Sequence, residues 1–147
     1  MKNATLIALI LDRSGSIVEC LKPMQTALDE FIGEQKVEPG ECELALFQFD
    51  TEYEQVYRAC IKDAPKHQII PRGNTALHDA MGLTINAIGE DLAKRPEAER
   101  PNKVIICTIT DGYENASKEF TQSQVADLVK RQQEKYHWNF VFLGANQ

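Results

Sequence analysis

Asp12-Arg13-Ser14-Gly15-Ser16 places one carboxylate and two hydroxyls at alternate positions, directly after an apolar run over residues 5–11. A loop with this D-x-S-x-S spacing can turn three oxygen atoms toward one point beyond a strand's carboxyl end, where open α/β sheets bind ligands. Two more oxygen donors stand far along the chain in comparable settings. Thr75 lies in the turn-forming stretch Gly73-Asn74-Thr75-Ala76-Leu77, and Asp111 lies in Thr110-Asp111-Gly112, after a second apolar run. Oxygen-only donors select a hard divalent cation over zinc. Mg²⁺ is the first expectation, with Mn²⁺ and Ca²⁺ left open.

For that chemistry the chain must bring three distant loops to one rim of a sheet. Residues 5–11 form a continuous apolar run of strand length, as in a strand covered on both faces. Residues 18–31 carry Val18, Leu21, Met24, Leu28 and Phe31 at helical spacing, with Ile32 beside them. Pro23 is tolerable only near that helix's start, and Gly33 and Pro39-Gly40 should close the segment. Residues 43–49 and 53–58 read as strands joined by Asp50-Thr51-Glu52, short enough to imply an antiparallel hairpin. Tyr53 and Tyr57 should share one face of the edge strand so formed.

A second helix should start near Thr75, with Leu77, Met81, Ile85, Ile88 and Leu92 as its apolar stripe. Residues 103–110 read as another buried strand. Thr121 suits the N-cap of a third helix carrying Val125, Leu128, Val129 and Tyr136. Residues 138–143 read as the last strand. The order β-α-ββ-α-β-α-β implies a doubly wound α/β fold: a mostly parallel central sheet, one antiparallel edge strand, and helices on both faces. The 147 residues fit a single domain, 1–147, without internal repeat or linker. The chain stops soon after the last strand, where doubly wound folds usually add a strand or covering helix, as a C-terminally truncated domain would.

Asp12-x-Ser14-x-Ser16, then Thr75, then Asp111-Gly112 resembles the metal-ion-dependent adhesion site of von Willebrand factor A-type (VWA) domains, with a match running from the first strand through the fifth. The resemblance implies that Ser14, Ser16 and Thr75 supply hydroxyl oxygens, and that Asp12 and Asp111 act directly or through water. It also implies that the cation keeps an open position, filled by a carboxylate of a partner protein. The expected function is then cation-dependent protein binding, not catalysis. One departure concerns the loop before the threonine, where the family often has two glycines and this chain has Gly73-Asn74. The other is the missing sixth strand and closing helix.

Plainer readings exist for each residue. Ser14 and Ser16 can be turn or N-cap residues, Thr75 can cap its helix, and Thr-Asp-Gly turns are common structural features. Asp79, in the first turns of a helix, complements its dipole. Glu114 and Asn115 would either line the rim or merely solvate it. The alternatives to a binding module are a metal that only rigidifies the loops and an Mg²⁺-dependent phosphoryl-transfer or hydrolytic enzyme with Asp12 as nucleophile. A dehalogenase-type phosphatase wants a second acid two residues after the first, where this chain has Ser14. No glycine-rich phosphate loop or Ser-His-Asp set is evident.

The net charge of −6 argues against nucleic acid as a partner. Residues 5–11 are too few to span a membrane and run straight into Asp12 and Arg13. Cys20, Cys42, Cys60 and Cys107 form no CxxC pair. With no visible signal peptide, they fit a reducing, cytoplasmic setting.

Overall fold

A computed structural model describes residues 4–110 and 117–144, apart from the side chain of Ser16. Five strands form one sheet: β1 (Ala4–Asp12), β2 (Glu41–Phe49), β3 (Tyr53–Cys60), β4 (Lys103–Thr110) and β5 (Asn139–Gly144). Their spatial order is β3-β2-β1-β4-β5. β1 runs parallel to β2, with Asp12 opposite Phe49, and parallel to β4, with Leu11 opposite Ile109. β5 continues the parallel set, and β3 alone is antiparallel. The expected fold class is the one observed. The chain leaves β1 for β2 on one side, then crosses back to β4 on the other. The carboxyl ends of β1 and β4 therefore flank the reversal of strand order, where such sheets open a crevice.

β1 is central because its residues can be dry on both faces: Leu6 through Leu11 are fully buried. Leu6, Ala8 and Ile10 join one core with Phe47, Phe49 and Ile106. That core is roofed by α2 (Leu77–Lys94), through Leu77, Met81, Ile85 and Ile88, and by α3 (Gln122–Tyr136), through Val125. Ile7, Leu9 and Leu11 join the other core, beneath Met24, Leu28 and Ile32 of α1 (Leu21–Lys36). The period-two alternation of a strand assigns each face its own roof. At the amino end of the sheet, Arg58 and Arg95 both pair with Glu43 and Asp91, at 2.6–3.2 Å, fastening α2 to β2 and β3.

Three expectations need correction. The first helix does not begin at Val18: residues Gly15–Cys20 form a 3₁₀ turn in which Val18 is 62% exposed, and Leu21 starts the α-helix. Pro23 then falls in the first turn, where its missing N–H costs nothing. Gly33 does not close that helix, which runs on to Lys36. One glycine at a surface position costs only about 1 kcal/mol relative to alanine, and Met24, Leu28 and Ile32 hold the helix down. Tyr53 and Tyr57 do not share a face. The β2–β3 register shifts between Leu46 and Phe47, so Leu46 pairs with Tyr57 but Phe47 pairs with Gln55. The extra residue, Val56, inverts the alternation, sending Tyr53 to the α2 core and Tyr57 to the α1 core.

Candidate metal centre

Asp12 is the last residue of β1 and is fully buried. Its Oδ1 accepts the backbone N–H of Ser14 at 2.8 Å, which folds the loop back over the strand end. Its Oδ2 accepts the hydroxyl of Thr110, the last residue of β4, at 2.8 Å. That bond spans the point where strand order reverses. Ser14, also fully buried, stands at the N-cap of the 3₁₀ turn with no side-chain capping bond.

Thr75 reaches the same rim from another loop and is 1% exposed. Ala76, not Thr75, is the N-cap of α2, and its own side chain makes no capping bond. Ser14 thus takes an N-cap position without a capping bond from its side chain, and Thr75 stands one residue before the cap of α2. Two backbone bonds lay the Thr75 loop against the Asp12 loop: Gly15 N–H to Gly73 C=O at 2.9 Å, and Arg72 N–H to Arg13 C=O at 2.7 Å. Gly73 takes the left-handed conformation (φ 71°), and a Cβ on it would stand 3.1 Å from Cβ of Asp50. The turn thus needs its glycine at 73. Asn74 is not in the left-handed region and donates its N–H to Thr51 Oγ1 at 3.1 Å. The departure from a double glycine costs this loop nothing.

Asp12, Ser14 and Thr75 are thus buried on loops that are hydrogen-bonded to one another at the carboxyl rim. The backbone of Ser16 lies in the 3₁₀ turn. Its side chain, and Asp111, Gly112, Glu114 and Asn115, lie outside the described residues. The donor chemistry fits a hard cation: one carboxylate and two hydroxyls, all oxygen.

No sequence-family model and no curated protein matches the chain, but solved structures do. The chain superposes on proximal thread matrix protein 1 from the mussel byssus with a TM-score of 0.61 at 18% identity, over 97% of this chain and 35% of that one. It matches the vWF domain of the type V pili tip protein Mfa5 from Porphyromonas gingivalis with a TM-score of 0.51 at 13% identity, covering 84% of this chain and 44% of that one. For the ArnB paralog VWA2 from Sulfolobus acidocaldarius the values are 0.50 and 19%, over 98% and 35%. The fold is VWA-like. The chain spans less than half the length of each of these three proteins, and at such identities the likeness is one of fold.

In this VWA-like frame the sequence reading missed three residues. Thr110 was only the end of a strand, yet its hydroxyl holds Asp12. Asp50 was only part of a hairpin connector, yet it is 2% exposed and binds two arginines. An Asp opening a tight turn, with arginines at 13 and 72, was the available signal. Asp79 does more than complement a helix dipole. Its carboxylate accepts the N–H groups of Lys118, Glu119 and Phe120 at 2.8–2.9 Å, and its own N–H bonds Ser117 Oγ at 3.0 Å.

Proposed function

We propose that this chain is a divalent-cation-dependent binding module of the VWA type. Asp12, Ser14, Ser16, Thr75 and Asp111 would hold the cation, Mg²⁺ first, with Mn²⁺ or Ca²⁺ as alternatives. The observation that supports this most directly is the burial of Asp12, Ser14 and Thr75 at the β1–β4 reversal, on cross-bonded loops. Hydrogen bonds from Ser14 N–H and the Thr110 hydroxyl hold the buried Asp12 carboxylate, and a hard cation would balance its charge. A bound cation supplies one electrophilic coordination position for a carboxylate oxygen of a partner protein. The chain's own part would be to offer three hydroxyls beside two carboxylates, so that few charged atoms touch the ion and it stays electron-poor.

Binding rather than catalysis is the reading because Ser14 stands two residues after Asp12, where a dehalogenase-type phosphatase wants a second acid. Melting curves in EDTA, Mg²⁺, Mn²⁺ and Ca²⁺ test it. Ligand at about 100 times Kd should stabilise by about 2.7 kcal/mol, and Asp12→Asn and Thr75→Ala should abolish the shift. The absence of a shift with every ion removes the site. A shift with Mg²⁺ but no Mg²⁺-dependent retention of any carboxylate-bearing partner favours a metal that only stiffens the loops.

A further inference from the structure

Asp50 stands beside the proposed centre without belonging to its donor set. It caps the end of β2, is 2% exposed, and its groups reach three loops at once. Within its own hairpin, its N–H bonds Glu52 C=O at 2.9 Å and its Oδ1 accepts the Glu52 N–H at 2.5 Å. Toward the Thr75 loop, its carbonyl accepts the N–H of Ala76 at 3.1 Å, and its Oδ2 accepts Arg72 Nε at 2.6 Å. Toward the Asp12 loop, the same Oδ2 lies 3.3 Å from Arg13 Nε. That nitrogen is buried and makes no hydrogen bond among the described residues, so its attraction to Asp50 is coulombic. Glu52 and Glu54 take up the remaining ends of Arg72 and Arg13.

The residues on either side of this carboxylate are informative. Arg13 is the neighbour of both Asp12 and Ser14. Arg72 lies three residues before Thr75, and Ala76 lies one after it. Asp50 therefore holds the flanks of both donor loops while its own charge is matched by two guanidinium groups.

We propose that Asp50 is a positioning residue of the metal centre, setting the separation of the Ser14 and Thr75 loops through Arg13, Arg72 and the Ala76 N–H. This rests on the cation reading of the preceding subsection. Groups that orient metal ligands without touching the ion typically change affinity 10- to 100-fold when removed. Asp50→Asn preserves the shape and one carbonyl acceptor but loses the charge that gathers the two arginines.

The test is Mg²⁺ and Mn²⁺ affinity by calorimetry, well below the melting temperature of every variant. Asp50→Asn should weaken both ions at least about tenfold. Two controls separate positioning from other causes. Leu28→Ala, in the α1 core, lowers stability without touching the rim and should leave affinity unchanged. Glu54→Gln removes one negative charge from the same network at a half-exposed position and should change affinity less than about twofold, consistent with the screening of exposed charges. Should Asp50→Asn not fold, Arg72→Gln carries the same measurement. Arg72→Gln and Asp50→Asn should also be non-additive, since both break one contact. If the wild type takes up neither ion, the cation reading falls and this inference falls with it. If the wild type binds and Asp50→Asn binds equally well, or if Glu54→Gln loses as much as Asp50→Asn, Asp50 has no positioning role and the centre stands without it.

Discussion

Gly82 lies in the middle of α2, where replacement of a glycine by alanine ordinarily stabilises a helix by about 0.8–1.0 kcal/mol. Here the sign should reverse. A Cβ at position 82 would stand 2.5 Å from Cγ and 2.6 Å from both Cδ atoms of the Phe120 ring. Those atoms are the root of the ring, so rotation of its far end cannot relieve the clash. The ring or the backbone that bears it must move. That backbone is held by the Phe120 N–H on Asp79, one helical turn earlier on the same face. Overpacking of this kind costs about 1–3 kcal/mol, and the anchored backbone places the cost near the upper end. After the gain in helix propensity, Gly82→Ala should destabilise by about 2 kcal/mol. For a chain of this size, with about 2–4 °C per kcal/mol, the melting temperature should fall by roughly 4–8 °C. In a Phe120→Ala background the clash is absent, and the same substitution should recover its normal stabilisation of about 1 kcal/mol. Thermal or urea denaturation of the four proteins closes the cycle, with an expected coupling near 3 kcal/mol. A higher melting temperature for Gly82→Ala with Phe120 intact, or a coupling near zero, would refute the packing argument.

Asp79→Ala should cost about 1.5–3 kcal/mol, the range for a single hydrogen bond to a charged group. It should not cost three times that, because the released N–H groups of Lys118 and Glu119 are exposed to water. Amide exchange at residues 118–120 should accelerate more than exchange in β4, and equal protection in both proteins would show that the carboxylate holds nothing. Burial pushes the Tyr53 phenol up to about 12, only partly offset by its hydrogen bond to Thr84 Oγ1 at 2.7 Å. An acid whose pKa rises on folding stabilises the fold below its unfolded value and loses that contribution as pH climbs through the folded one. Alkaline destabilisation between about pH 10 and 12 should therefore be shallower in Tyr53→Phe than in the wild type, at a cost of about 1 kcal/mol at neutral pH. Identical alkaline slopes would exclude Tyr53 as their source.

The sheet and its order of elements were legible in the sequence because β1 and β4 are buried on both faces and leave unbroken apolar runs. The Thr121 N-cap was legible for a local reason: its side chain and that of Gln124 satisfy each other's backbone N–H groups, a bond pattern written within four residues. The bulge opposite Leu46 was not, since Tyr53, Val56 and Tyr57 suit either face of an edge strand and only pairing with β2 decides between them. Val18 misled because its type fits the helical stripe, whereas the tight Asp12–Ser14 turn forces a 3₁₀ start and rotates it into solvent. At the candidate centre, spacing singled out the D-x-S-x-S loop and Thr75, and Asp12, Ser14 and Thr75 are indeed buried there. Asp50 and Thr110 could not, because their roles depend on charge and hydroxyl partners brought from distant parts of the chain.

The bond between Thr110 and Asp12 joins residues 98 positions apart, and this has a kinetic consequence. Contacts so distant in sequence form only after the intervening chain has lost most of its freedom, which slows their arrival. The crevice at the strand reversal is thus a late product of folding, closed only when β4 docks beside β1. During synthesis a nascent chain could complete β1, the hairpin and α2 and still have no finished rim. Any ligand that needs the finished rim would therefore bind only molecules whose central sheet is already assembled.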